Sequence, residues 1–311
     1  MRRLYLLIPL ILLVSCGGRK SAEPQATRVF PEVQVPSAIP QEERVSYALS
    51  HFWDGLISGS DGFATDSLKV GGVSMADMEK VAGTYASLVR IVPPEESAAA
   101  LTSLEKKLDE KGDTSLFKGV ASLIEKYLYD VQSPVRNEDA FGAFCSSAST
   151  SPLLTDAERD LYARWASLAA LAAVGTVAPD FEFIDIAGRR RTLHSQRAGW
   201  TVLIFGNPDC TACRTLVEMI DGNEDLGRSV SDGTIAIVDI YVDEDIEAWR
   251  ASLKDFPKGW TLGYDPLHII HGDTVYHLRA IPSIYLLDKD KNVVLKDAPE
   301  EVLIEYLNSI I

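Results

Sequence analysis

The spacing of apolar residues changes along the chain and divides it into regions with different predicted structures. An almost unbroken apolar run from Leu4 to Val14 follows two arginines. Between residues 42 and 173, apolar residues recur every three or four positions, which is the period of amphipathic helices. From residue 174 to residue 311, short apolar runs alternate with helical patterns. The pattern therefore predicts an all-α domain followed by an α/β domain.

Residues 1–15 have the features of an export signal. Two arginines precede an apolar run that is too short to cross a bilayer, which takes about 20 residues. The run ends in Leu13-Val14-Ser15-Cys16, which resembles the lipobox of bacterial lipoproteins. That resemblance implies cleavage before Cys16 and attachment of lipid to this cysteine. An ordinary secretory signal with an incidental cysteine is the alternative.

Residues 16–41 contain four prolines and little periodicity, which predicts an extended tether. A lipidated cysteine that carries several acyl chains anchors a protein stably to a membrane. We therefore expect a protein of the bacterial cell envelope, at the periplasmic face and in the outer rather than the inner membrane. That space is oxidising, so disulfide bonds persist there.

The region 42–173 carries start signals for several helices. Ser74, Asn137 and Thr155 are placed to cap helix N-termini, and Glu158 completes a capping box with Thr155. No residue of this region indicates catalysis. Its one cysteine, Cys145, follows a phenylalanine and is predicted to be a small buried hydrophobic residue. The alternative is that it relays disulfides to the C-terminal cysteines.

The region 174–311 contains several strand and helix patterns. The strands are predicted at residues 181–186, 201–205, 235–242, 284–287 and 293–295. Helices are predicted to begin at Cys210 and to span residues 245–253 and 300–310.

The candidate chemistry of the chain lies in the segment Asp209-Cys210-Thr211-Ala212-Cys213. A Cys-x-x-Cys pair directly after a buried strand and at a helix start is typical of a redox site. The helix N-terminus carries partial positive charge and free N–H groups, which stabilise the reactive thiolate of Cys210. Cys213 lies one turn further on and is placed to resolve a mixed disulfide.

Two further segments accompany this motif, Val-Ala-Pro-Asp-Phe at 177–181 and Ala-Ile-Pro-Ser at 280–283. Together they resemble the thioredoxin-like fold, in its periplasmic or lipid-anchored branch. The whole chain also resembles lipoproteins of Bacteroides-type bacteria, in which an uncharacterised helical domain precedes a thioredoxin-like one. The resemblance implies a central mixed sheet flanked by helices. It also implies a cis Pro282 beside the cysteines, and a backbone at Ile281 that pairs with a substrate peptide.

Several positions depart from the family pattern. Asp209 replaces the usual tryptophan, and its carboxylate opposes a neighbouring thiolate by like-charge repulsion. Ile204 stands where thioredoxins carry a buried acid, so the sequence identifies no proton acceptor for Cys213. Thr211 and Ala212 provide no histidine between the cysteines, which favours a reductase or an isomerase over a strong oxidant.

These observations predict a thiol–disulfide oxidoreductase that works by mixed-disulfide exchange and needs no cofactor. Its expected partners are disulfide-containing envelope proteins and an upstream electron donor. Nucleic-acid binding is not expected, because the net charge is −15 and no basic stripe is present.

Two other functions stay open. A metal site, for example in metal delivery, could combine the cysteine pair with His268 and His271, with His277 further downstream, although the spacing differs from that of a zinc finger. A non-enzymatic lipoprotein would instead bind an envelope partner through its helical domain, with Cys210 and Cys213 in a static disulfide.

Overall fold

The computed structural model describes residues 27–270, 272 and 275–311. The predicted signal peptide, the predicted lipidation residue Cys16 and His271 lie outside these residues. Among the helices of the described ranges, none combines the length and the apolar character needed to span a membrane.

Residues 41–169 form α-helices and one short hairpin around a single core. The helices are α1 (Arg44–Ser50), α2 (Asp54–Ser58), α3 (Met75–Ile91), α4 (Pro94–Lys111), α5 (Thr114–Leu128), α6 (Glu138–Ala148) and α7 (Asp156–Ala169). The hairpin strands are β1 (Lys69–Val70) and β2 (Val73–Ser74). Residues 45–56 have the apolar period of one helix, but the chain turns at His51. The turn allows both Phe52 and Trp53 to pack against Tyr85 in the core.

The predicted capping residues begin their helices as expected. The side chains of Ser74 and Asn137 accept hydrogen bonds from backbone N–H groups in the first turns of α3 and α6. Thr155 and Glu158 form the predicted capping box at the start of α7. Each cap satisfies an N–H group that has no partner within its own helix, and therefore fixes where the helix begins.

The predicted tether is shorter than the sequence indicated. Arg28 donates hydrogen bonds to the carbonyl oxygens of Leu56, Gly59 and Gly71 at 2.6–2.7 Å. Phe30 packs its ring against the aromatic core of the helical region. The segment that begins at Arg28 is therefore part of the helical region, and the predicted tether boundary at residue 41 is corrected. The pattern failed here because these contacts join residues far apart in the sequence.

The C-terminal region contains a seven-stranded mixed sheet, in the order β4-β3-β7-β6-β5-β8-β9. Its strands are β3 (Glu182–Asp185), β4 (Arg190–Thr192), β5 (Trp200–Gly206), β6 (Ile235–Tyr241), β7 (Thr261–Tyr264), β8 (Ser283–Leu287) and β9 (Val293–Lys296). Its helices are α8 (Thr211–Asp221), α9 (Glu224–Ser231), α10 (Ile246–Ser252) and α11 (Glu300–Ile310). The central strand β5 is parallel to β6 and antiparallel to β8. The predicted fold class, a mixed sheet flanked by helices after a helical region, is confirmed.

Side chains of β5 alternate between two apolar layers, because successive residues of a strand point to opposite faces. Val202 and Ile204 pack in a layer with residues of α8, α9 and α11. Leu203 and Phe205 pack on the other face in a second layer, which includes Tyr276 from the loop before β8. The sheet is therefore covered on both faces, and the carboxyl end of β5 holds the start of α8 in place.

Candidate active site

Cys210 lies at the N-terminus of α8, four residues after the end of β5. The backbone of Asn207 and its side-chain oxygen accept hydrogen bonds from the N–H groups of Cys210 and Asp209, which tightens the turn from strand to helix. Cys210 is the N-cap residue, and its Sγ accepts a hydrogen bond from the N–H of Cys213 at 3.1 Å. The Cys210 sulfur is thus partly exposed at the N-terminal end of a helix, where a backbone N–H group points at it.

The predicted proline loop lies against this cysteine. The Ile281–Pro282 peptide bond is cis, as the resemblance implied. The Cys210 thiol donates to the carbonyl oxygen of Ile281 across 3.5 Å. Strand register accounts for the contact, because Ser283 at the start of β8 pairs with Phe205 near the end of β5. We call residues 277–282 the cis-proline loop.

Cys213 is the buried member of the pair. It is 8% exposed and, like Cys210, a free thiol. Burial raises the pKa of the Cys213 thiol, and the neighbouring sulfur of Cys210 and carboxyl group of Asp239 raise it further. The backbone N–H of Asn207 acts in the opposite direction. Cys213 therefore needs a base before it can act as a nucleophile.

Asp239 is a candidate site residue that the sequence patterns did not indicate. It is 6% exposed and lies on β6 directly opposite Ile204, the position at which no acid was found. A Cβ atom added to Gly206 would lie 3.6 Å from the Cys213 sulfur and 3.8 Å from Asp239 Oδ2, so both groups border the same point. The available signal was one acid within the apolar run 235–242.

Burial raises the pKa of Asp239 to about 7. A carboxyl group with this pKa exists in both protonation states near neutral pH, which suits a general acid–base. A cavity of about 160 Å³ adjoins Asp239 and Cys213 and is lined in part by Trp249 and Phe256. The cavity is large enough to hold several water molecules beside the buried carboxyl group.

The three remaining residues of the predicted site motif, Asp209, Thr211 and Ala212, are exposed. Asp209 lines a groove that also contains three acidic side chains after β6 and the side chain of His268. Thr211 accepts a hydrogen bond from Arg214, which also binds the carbonyl of Pro208. The surface around Cys210 is therefore accessible to a partner and largely acidic on one side.

Cys145 and the histidines lie elsewhere. Cys145 is fully buried in the core of the helical region, and burial raises its pKa. His277 is buried and lies 2.6 Å from Glu138 of α6. Within residues 27–270, 272 and 275–311, no group of three or more histidine, cysteine or acidic side chains is placed to hold a metal ion.

A family model described as a domain of unknown function, DUF5106, matches residues 15–170, which is half of the chain. The chain belongs to this family. No curated protein matches it in sequence. A thioredoxin-like protein from Bacteroides caccae is similar over 91% of this chain and 99% of its own length, with 28% identity and a TM-score of 0.79.

Two other solved structures are similar to less than half of this chain. The C-terminal domain of an uncharacterised protein from Bacteroides fragilis is 36% identical over 44% of this chain and 98% of its own, with a TM-score of 0.42. The thioredoxin domain of a thiol-disulfide oxidoreductase from Bacteroides vulgatus is 19% identical over 45% of this chain and 98% of its own, with a TM-score of 0.40. The similarity to the Bacteroides caccae protein over 91% of this chain, with a TM-score of 0.79, shows that the chain is thioredoxin-like, as the resemblance predicted.

Proposed function

We propose that this protein is an extracytoplasmic thiol–disulfide oxidoreductase, acting as a reductase or an isomerase. One observation carries the proposal: the partly exposed Cys210 thiol, at the N-terminus of α8, contacts the backbone of Ile281. A nucleophilic sulfur beside a loop backbone suits attack on a disulfide within a polypeptide that pairs with that backbone.

In the first step, the Cys210 thiolate attacks one sulfur of a partner disulfide. A bond forms between the two sulfur atoms, and the partner's S–S bond breaks. The second partner sulfur leaves as a thiolate and takes a proton from solvent. The partner is now joined to Cys210 as a mixed disulfide.

In the second step, Cys213 releases the partner. Its thiol gives its proton to the Asp239 carboxylate, and its sulfur attacks Cys210 Sγ. A Cys210–Cys213 disulfide forms, the bond from Cys210 to the partner breaks, and the partner sulfur leaves as a thiolate that takes a proton from solvent. Two electrons have then passed from the protein to its partner. A dithiol donor of the envelope returns them by the same exchange.

We further propose that lipid on Cys16 anchors the protein at the periplasmic face of the outer membrane. The lipobox-like segment before Cys16 supports this location. The partners would then be disulfide-containing proteins of the envelope, where an oxidising medium allows disulfides to form.

The test is the redox potential of the Cys210–Cys213 pair, measured by equilibration in dithiothreitol or glutathione buffers. We expect a value between about −270 and −120 mV, the range of exchange enzymes of this fold. A Cys213→Ser variant is expected to trap mixed disulfides in cells, and a Cys210→Ser/Cys213→Ser variant is the matched control. A potential below about −300 mV, with no trapped partner, would mark a static disulfide and overturn the proposal.

A further inference from the structure

A buried cluster of charged side chains joins the helical region to the cis-proline loop. It contains Glu138 from α6, His277 and Arg279 from the loop, and Lys296 and Asp297 from the end of β9. These side chains are between 1% and 8% exposed. We call these five residues the charge cluster.

Glu138 is the contribution of the helical region to the charge cluster. Its Oε1 lies 2.6 Å from His277 Nδ1 and 3.7 Å from Arg279 Nε, and its Oε2 lies 3.1 Å from Lys296 Nζ. Burial acts to raise the pKa of Glu138, but these neighbours together hold it below its usual value. Glu138 is therefore a buried carboxylate whose partners all belong to the thioredoxin-like region.

Arg279 holds the cis-proline loop against the helical region. Its guanidinium group donates to the backbone carbonyl of Tyr129, just after α5, and lies 4.6 Å from the centre of the Tyr129 ring. It also donates to the carboxylate of Asp297. Arg279 precedes Ile281 by two residues, so their Cα atoms are at most about 7 Å apart. A shift of Arg279 would consequently move the backbone of Ile281.

Asp297 connects both sides of the cis-proline bond. One of its oxygens accepts from Arg279, which precedes Pro282. The other accepts from the hydroxyl of Ser283, which follows Pro282, at 3.3 Å. A third contact comes from Arg136 of the helical region, whose Nε donates to the Asp297 carbonyl at 2.9 Å.

Stability alone is a poor explanation for this arrangement. Burying charges costs several kcal/mol of desolvation per ion, and apolar replacements of buried ion pairs are often neutral or stabilising. Paired charges do, however, define one geometry, because each requires its partners at fixed distances. In this protein the geometry that they define is that of the loop beside Cys210.

We propose that Glu138, Arg279 and Asp297 are positioning residues, through which the helical region fixes the Ile281 backbone for docking of polypeptide disulfides. This inference rests on the proposed function. A polypeptide must pair with the loop backbone while its disulfide reaches Cys210. A small disulfide needs only access to Cys210, so it is indifferent to the loop. The helical region thus contributes to the selectivity for proteins as substrates.

The test compares two disulfides as substrates of the full chain, insulin and bis(2-hydroxyethyl) disulfide. Arg279→Lys keeps the positive charge but lacks the fork that reaches Tyr129 and Asp297 together. We expect kcat/KM for insulin to fall about tenfold, chiefly through KM, and the rate with the small disulfide to change less than about twofold. Glu138→Gln, which removes the buried charge, is expected to act in the same direction.

The matched control is Glu105→Gln. Glu105 is a buried carboxyl group in α4 that accepts from Ser147 of α6 and takes no part in the charge cluster. We expect it to leave both reactions unchanged. The inference is overturned if Arg279→Lys reduces insulin as fast as the unsubstituted protein, or if both substrates slow equally. If the unsubstituted protein reduces neither disulfide, the proposed function itself is wrong.

Discussion

The carboxyl group of Asp239 meets two opposing demands. In its proposed role as a base for Cys213 it must lose its proton, yet its burial makes the ionised form costly. We expect Asp239→Asn to slow the release of mixed disulfides at pH 7 by about 10²-fold or more, the usual range for a lost general base. Rapid-quench kinetics of the second step would measure this. The unsubstituted protein should show a rate that rises through pH 7, and the variant should not.

The same residue predicts a pH-dependent stability. Its pKa is about 7 in the folded chain, against about 3.9 for an unfolded Asp. Between these values the folded state binds more protons, so the free energy of unfolding falls as pH rises from about 4 to 7. Asp239→Asn removes this loss. We expect the variant to be more stable at pH 8 by about 2–4 kcal/mol, and nearly equal at pH 3. Urea unfolding at both pH values measures the free energy of unfolding of the two proteins. The same difference between them at pH 3 and pH 8 would contradict the prediction.

Cys145 is much less accessible to solvent than Cys210. It is fully buried and its pKa is raised, first by burial and then by the nearby carboxylate of Glu125. We expect iodoacetamide to alkylate Cys210 in the folded, reduced protein and to reach Cys145 only after unfolding. Mass spectrometry of the labelled peptides distinguishes the two. Labelling of Cys145 as fast as Cys210 would favour the disulfide relay instead.

At the scale of elements, the sequence predicts those features whose interacting residues are close together in the chain. Caps at Ser74, Asn137 and Thr155 were readable because a cap and its partner lie within four residues. The pattern did not predict β4, β7 or α9. Strand β4 is a short polar segment at the sheet edge, and β7 is four residues long with Gly263 inside it. Both owe their conformation to neighbouring strands rather than to their own residues.

The contact between α6 and α7 depends on a glycine. A Cβ atom on Gly142 would lie 2.6 Å from the Cβ of Ala169, closer than such atoms approach. In α9, a Cβ on Gly227 would meet nothing within 4 Å. We therefore expect Gly227→Ala to stabilise the protein by about 0.5–1 kcal/mol through helix propensity.

For Gly142→Ala the same gain in propensity is offset by overpacking, which costs about 1–3 kcal/mol. We expect a net loss of about 1 kcal/mol in the free energy of unfolding. Chemical denaturation measures the free energy of unfolding of both variants, with Gly227→Ala as the control for Gly142→Ala. Equal stabilisation by the two substitutions would show that α6 and α7 can move apart to accept the added methyl group.

At the scale of the whole molecule, the sequence located the cysteine pair but not its supporting groups. The motif around Cys210 and the loop at Pro282 each carry their own local signature. The proximity of Asp239 to Cys213 depends on strand register, which places Asp239 beside Ile204. The link from Arg279 to Tyr129 spans 150 positions. Such pairings arise only when two regions pack, so no local pattern predicts them.

The length of chain between Cys16 and Arg28 limits how far the molecule can lie from a membrane to which Cys16 is anchored. Arg28 is held to the helical region by three hydrogen bonds and follows Cys16 by twelve residues. A lipid on Cys16 would keep Arg28 within about 40 Å of the membrane, the full extension of that length of chain. We expect Cys16→Ser to move the protein from the membrane fraction to the soluble fraction and to abolish labelling with palmitate. Cys145→Ser, the control, should stay with the membrane. Membrane retention of unlabelled Cys16→Ser would contradict the anchor, because it would mean that another part of the chain holds the bilayer.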